Sequence, residues 1–272
     1  MMKNLIIVRG GGDLATGTIY KLYKCGFPVL VLEVSRPSAI RRNVAFSEAV
    51  YEGAQKVEDV TCHRANSVED AEKLLAEGKL TILVDPKGDA ITRLKPLAVV
   101  DAILAKKNLG THRAMAPITV ALGPGFEAGM DVDAVVETQR GHNLGRVLWQ
   151  GSAAPNTGIP GIIGGYSKER VIYSPAAGIL RNLCHITDTV KKGQTIAVIE
   201  TRREKIPVTA TLDGLLRGLI RDGYCVPEGF KIADIDPRTE EYMNCFTISD
   251  KSRCIAGGVV EAILYRKEVL GL

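Results

Sequence analysis

The sequence predicts two domains of different class, an α/β domain on a parallel sheet followed by a smaller all-β domain. Three observations predict this. Apolar runs of strand length alternate with helix-periodic segments from residue 5 to about residue 125, a Pro/Gly-rich stretch "SAAPNTGIPGIIGG" interrupts them, and the residues that follow repeat themselves at a constant offset. Alternating strand and helix argues for a parallel sheet with right-handed crossovers. The expected boundaries are 1–150 for the first domain, 151–169 for a connecting segment, 170–236 for the all-β domain, and 237–272 for a strand and helix returning to the first domain.

Leu5 to Val8 reads as a strand buried on both faces, ended by Gly10, Gly11 and Gly12. A helix is expected next, because Ala15, Ile19 and Leu22 share a face and Gly26 suits a left-handed C-cap. "FPVLVLE" is a second buried strand ending at Glu33. Ser67 with Asp70 three residues on has the form of a capping box, with Val68, Ala71, Leu74 and Leu75 as the apolar face and Gly78 as the stop. "LTILVD" is a strand, Pro96 opens a helix carrying Leu97, Val100, Ile103 and Leu104, and "PITVALGPG" is the next strand. "AVVETQRGHNLGRVLWQG" reads as two short strands around a glycine-bearing turn, "NCFTIS" as a strand, and the chain ends in a helix with Val260, Ile263 and Leu264 on one face.

The repeat has an offset of 36 residues. It pairs Gly178 with Gly214, Leu180 with Leu216, Arg181 with Arg217, Val190 with Val226, Gly193 with Gly229 and Ile199 with Ile235. Two copies of one β unit would each supply half of a core that neither could bury alone. "GILRNL" and "DTVKKGQTIAVIE" resemble the barrel-sandwich hybrid of biotinyl and lipoyl domains. In such a carrier the attachment lysine would lie in "TRREKIP", where Lys205 is the sole lysine and lacks the carrier flanks, so a structural or docking role is expected.

Composition narrows the function. A formal charge of +4 comes from basic residues scattered along the chain, and aromatics make up 5%, which predicts no nucleic-acid partner and mildly favours anionic small ligands. Six cysteines without a CxxC pair predict reduced thiols, and Cys62-His63 and Cys184-His185 lack zinc spacing, so no metal site is expected. An apolar run of four residues before Arg9 is too short for a signal peptide, and no stretch approaches a spanning segment, which predicts a cytoplasmic location and no membrane partner.

Read as GxGxxA, Gly10, Gly12 and Ala15 follow a strand and open a helix, and Glu33 stands where a dinucleotide fold keeps its ribose-binding acid. The first domain is therefore expected to be Rossmann-like. Asp13 caps such a helix well yet repels a pyrophosphate there, so a plain capped glycine turn is the competing reading. Three more stretches leave strand ends on the same edge: Asp85 with Lys87, Gly123-Pro124-Gly125, and Arg36 after Glu33. Together with Gly11 these form the expected cofactor-binding set. Arg140 and His142 in the glycine-rich turn are, with Asp13, the candidates for chemistry, since a histidine titrates near neutrality. No Ser or Cys nucleophile with a base, Walker lysine or HExxH motif appears, so the reaction, if any, stays open.

The stretches "RGGGDLATG", "RRNVAFSEAVYEG", "GPGFEAGMDVDAVVETQRGHNLGRVLWQG", "PNTGIPG" and "GGVVEAIL" resemble the YqeB family, accessory proteins of the selenium-dependent molybdenum hydroxylase system. The resemblance implies a maturation role towards a molybdenum hydroxylase of the xanthine or purine dehydrogenase type. XdhC-like maturation factors are a more distant parallel. A molybdopterin-type cofactor, carrying a phosphate or a pyrophosphate-linked cytidine, would suit a glycine turn at a helix start, and Cys62 is a further candidate for handling selenium. Two alternatives stand beside this: an NAD(P)-dependent oxidoreductase binding a dinucleotide, and a non-catalytic docking scaffold for the hydroxylase.

Overall fold

The computed structural model describes residues 2–272 and divides into two compact units. Of the described residues, the first comprises 2–37, 45–157 and 248–272, the second 38–44 and 158–247.

The first unit is built on a nine-stranded sheet. Its strands are β1 (Ile6–Arg9), β2 (Val29–Glu33), β3 (Ala54–Val57), β4 (Val60–Ala65), β5 (Leu80–Val84), β6 (Ala98–Asp101), β7 (Ile118–Leu122), β9 (Ala134–Val136) and β10 (Val147–Leu148), in the order β10-β9-β7-β6-β1-β2-β5-β4-β3. A two-stranded ribbon pairs β8 (Glu127–Ala128) with β11 (Gly151–Ser152). The helices are α1 (Asp13–Lys24), α2 (Ala49–Glu52), α3 (Val68–Ala76), α4 (Asp89–Leu94) and α5 (Asp250–Leu270). Ser67 caps α3 by accepting from the Asp70 amide at 3.1 Å, while the Asp70 carboxylate reaches the Asn66 amide rather than that of Ser67.

The expected fold class needs correcting. Instead of a purely parallel Rossmann-like sheet, the sheet is mixed: β3 lies antiparallel to β4 at one edge, and β10 antiparallel to β9 at the other. The physical reason lies in the connections. Residues 54–65 turn back at Glu58, which has a φ of 54°, and the Gly-bearing loop of residues 137–146 after β9 is shorter than a crossover, so neither link can hold the connection that parallel strands require. The helix expected from Pro96 is also corrected, because Ala98–Asp101 is the fully buried strand between β1 and β7. A short apolar run flanked on both faces satisfies either periodicity, and position in the sheet decided it.

The second unit consists of two four-stranded antiparallel sheets, which replace the biotinyl/lipoyl-like barrel-sandwich hybrid expected. One has the order β12 (Val171–Tyr173), β19 (Lys231–Asp236), β17 (Gly214–Leu219), β14 (Thr189–Val190). The other has the order β16 (Lys205–Thr209), β15 (Thr195–Glu200), β13 (Gly178–Asn182), β18 (Cys225–Val226). The 36-residue repeat exchanges the two sheets, since β13 answers to β17, β14 to β18 and β15 to β19. Each copy thus sends strands into both sheets, and one apolar core including Leu180, Ile199, Leu216 and Ile235 is shared between them. Gly178 and Gly214 play the same part: a Cβ there would collide with the Glu200 and Asp236 carbonyls respectively, which are themselves repeat partners.

"NCFTIS" is not a strand; Tyr242–Cys245 is a 3₁₀ turn. On α5 the buried stripe is Ile255, Ala256, Val259, Ala262 and Ile263, while Leu264, expected on that face, is exposed. Among the described residues no helix is long and apolar enough to cross a membrane.

Candidate functional site

Strands β1, β2, β5, β6, β7 and β9 run parallel, so the loops leaving them emerge along one edge of the sheet. A buried carboxylate needs donors and a turn's amides need acceptors, and at four of these strand ends the chain meets both demands at once. Glu33 accepts from the Gly11 and Val34 amides, both at 2.8 Å. Asp85 accepts from Gly88 and Asp89 at 2.9 and 3.1 Å and from Ala90 at 2.8 Å. Asp101 accepts from Ile103 at 3.2 Å, and Glu137 from Gln139 at 2.6 Å and Ala154 at 2.8 Å. Burial pushes the Glu33 and Asp101 carboxyls above the usual range, against the opposing pull of these hydrogen bonds.

A second network ties β1 to β6. The buried Arg9 guanidinium donates to Thr111 Oγ1, Thr111 donates to Asp101 Oδ2, and Arg9 stands 3.8 Å from that same oxygen. The loops themselves lie close. Gly10 has a φ of 94° and would, with a Cβ, come within 2.9 Å of the Ala102 carbonyl. Gly125 has a φ of 107° and would come within 2.6 Å of the Lys107 amide, so the turn after β7 sits directly on the segment after β6.

Where the loops after β1, β6, β7 and β9 meet the start of α5, a cavity of about 160 Å³ is lined by Leu14, Leu104, Lys106, Pro124, Thr138, Asn156 and Lys251. Lys251 is placed there by helix packing. Ser249 caps α5, accepting from the Ser252 amide at 3.2 Å, and the Ser252 hydroxyl donates to the Leu14 carbonyl at 2.8 Å, over Gly17 of α1 where no Cβ intervenes. A lysine in a first helical turn runs against the helix dipole. Burial, and then the charge of Arg140, lower the Lys251 ammonium below the ordinary lysine value, while Asp13, Glu137 and Asp250 oppose the shift. Arg140 is itself held in two hydrogen bonds to Asp250, at 2.7 and 3.0 Å.

The residues singled out in sequence therefore have different fates. Pro124 lines the cavity, Gly123 packs against the cavity residue Thr138, and Gly12 and Asp13 form the N-cap and first residue of α1. The Gly11 amide is occupied by Glu33 and those of α4 by Asp85, so these carboxylates stand where a phosphate would have to sit. Arg36 and His142 are exposed and not among the cavity residues. Lys87 borders a second cavity of about 690 Å³ beside α4, with Lys95, His112 and Met115, to which neither glycine turn contributes. Cys62 is buried, and burial pushes its thiol pKa up, away from thiolate character. Lys205 is exposed at the start of β16, paired with Glu200 at 3.2 Å.

Sequence reading missed Lys106, Thr138, Asn156 and Lys251. Only Lys251 left a signal, as a basic residue immediately behind the Ser249-Asp250 helix start, where acids are favoured. The others come from irregular segments whose neighbours are set by the fold.

No family model matches the chain. Among solved structures, the product-bound ectoine utilization protein EutE (DoeB) from Ruegeria pomeroyi aligns over 85% of this chain and 57% of its own, with 13% identity and a TM-score of 0.24. An aspartoacylase family protein from Mesorhizobium loti aligns over 85% of this chain and 84% of its own, with 14% identity and a TM-score of 0.27. Superpositions this loose carry neither a fold nor a function to this chain. In sequence the chain is 50% identical over 260 residues to the "Uncharacterized protein YqeB" of Escherichia coli (strain K12), a match covering 96% of this chain and 47% of that protein. Over those 260 residues the chain is similar to YqeB, and it spans about half the length of the curated relative that it matches.

Proposed function

We propose that the strand-edge cavity of the first unit holds the anionic part of a small cofactor, and that the chain serves as an accessory protein to a molybdenum hydroxylase. One observation carries the binding half of this reading: two lysines, Lys106 and Lys251, line one small cavity together with the polar residues Thr138 and Asn156. Cations with neutral hydrogen-bonding groups in a partly desolvated recess suit a phosphate or carboxylate. The charge comes from side chains, because the carboxylates of Glu33, Asp85, Asp101 and Glu137 already occupy loop amides.

Size limits what enters. A cavity of about 160 Å³ matches a group the size of benzene, below the ~300 Å³ where pockets for whole small molecules begin. It fits the phosphate end of a molybdopterin-type cofactor, with the remainder outside. The hydroxylase partner, the cofactor's identity and any selenium step rest on the family resemblance alone.

Titration calorimetry tests the reading with pyrophosphate, cytidine diphosphate, the cytidine dinucleotide form of the molybdenum cofactor, and NADH. Binding of the pterin nucleotide is expected, weakened about tenfold in each of Lys106→Met and Lys251→Met, about 1.4 kcal/mol apiece. Equal affinity in the double variant overturns the site, and tight binding of NADH alone favours the oxidoreductase alternative.

A further inference from the structure

We propose that the Lys251 amine forms an imine with an aldehyde or ketone ligand seated in the strand-edge cavity. This rests on the reading of that cavity as a ligand site and adds a covalent step to it. Lys251 Nζ belongs to a side chain half removed from water, in a recess whose walls include Leu14, Leu104 and Pro124. An apolar wall disfavours an ammonium and leaves more of the free amine. A neighbouring cation acts the same way: Arg140 is fixed nearby by Asp250, while Lys106 lines the same recess. A lysine made nucleophilic by desolvation and an adjacent cation is an established route to imine chemistry.

The same groups suit the reacting atoms. Attack of the neutral amine forms a C–N bond while the carbonyl π pair moves to oxygen, which takes a proton. Thr138 and Asn156 are the polar neutral residues of the recess wall, and Lys106 offers a charge for an anionic substituent on the ligand. Loss of the hydroxyl as water with the amine proton gives the imine, so amine plus carbonyl equals imine plus water and no oxidant is consumed. The ligand class is therefore a small carbonyl compound bearing a carboxylate or phosphate. The acids Asp13, Glu137 and Asp250 face Lys251 from the opposite sense and restrain the effect.

The test uses the full chain with pyruvate as probe and borohydride to reduce any imine to a stable amine, followed by peptide mass mapping. The expected result is an adduct on Lys251 at least tenfold more occupied than on any surface lysine such as Lys24 or Lys205, with labelling that persists to lower pH than theirs. Lys251→Met and Lys251→Arg should both lose the adduct, and the arginine variant, keeping the charge, should retain pyrophosphate binding. An even spread of adduct over the lysines overturns the proposal. Pyrophosphate binding that needs Lys106 and Lys251 without any Lys251 adduct overturns the imine and leaves the anion site standing. A Lys251 adduct without pyrophosphate binding supports the imine and removes the anion reading.

Discussion

In the second unit almost every strand has a twin 36 residues away, whereas in the first unit the strand ends share an acid that accepts loop amides but have no common loop. Gly178 and Gly214 are each kept bare by the same twin carbonyl, and each copy fills half of one core. At the edge of the large sheet, by contrast, Glu33, Asp85, Asp101 and Glu137 each organise a different loop. Where a residue pattern recurs, packing explains it. Where it occurs once, the explanation is local, and it is there that the cavity lies. The repeat also shows where symmetry ends: Arg181 pairs with Glu200 on the surface, while the equivalent Arg217 stands 3.7 Å from Asp236, whose side chain is fully buried and also held by Arg238 at 2.8 Å.

The sharpest way to break the irregular unit is at Gly258 of α5. A side chain there would drive into the Gly145 carbonyl of the turn that carries Arg140 and His142, and would meet Val136. Gly258→Val is expected to cost about 3 kcal/mol by overpacking and to lower the melting temperature by about 9 °C in thermal unfolding. Next in size, the twin ion pairs should part company. Arg217→Met leaves a buried carboxylate with fewer partners and should cost about 2 kcal/mol, while Arg181→Met, at a solvent-screened pair, should leave urea unfolding nearly unchanged. Equal losses would mean that the copies are energetically alike despite their burial.

The smallest effect separates the units by the sign of their pH dependence. Burial raises Glu33 and Asp101, so their stabilising contribution is fully present below the unfolded carboxylate range and is lost as pH rises through the folded values. For Asp236 burial pulls upward too, but the hydrogen bonds and charge of Arg238, with Arg217, outweigh it and lower the value. Its contribution is present above the unfolded range and is lost as pH falls through the folded value. Relative to the parent, Glu33→Gln and Asp101→Asn should therefore gain stability with rising pH, whereas Asp236→Asn should be weaker at neutral pH and converge on the parent in acid. Urea unfolding at a series of pH values reads all three.

Much of the scaffold is legible in the sequence because its causes are local. "IIVR", "VLVLE", "LTILV" and "ITVAL" are strands because β-branched runs bounded by glycine or acid are buried on both faces, and Ser67 caps α3 as its spacing suggests. Ala98–Asp101 misleads because a short apolar run fits both periods and only its neighbours β1 and β7 choose. The antiparallel β9–β10 edge is legible as two short strands around a glycine-bearing turn, whereas the β3–β4 edge escapes prediction, since strand direction there depends on what the connection can span. The site was the least legible part. Glycines advertise themselves, yet the Gly11 amide goes to Glu33, 22 residues on, and the lysine that reaches the cavity arrives on a helix whose Ser252 meets Leu14 across 238 positions.

Residue order alone set the apolar runs, the caps and the 36-residue repeat, because these depend on neighbours within a few turns or on one unit copied once. Folding alone settled which carboxylate answers which amide, that β3 runs against β4, and that Lys106 and Lys251 share a recess. Those outcomes depend on distances between segments far apart in the chain, where burial and hydrogen-bond satisfaction are decided jointly and no local pattern records the result.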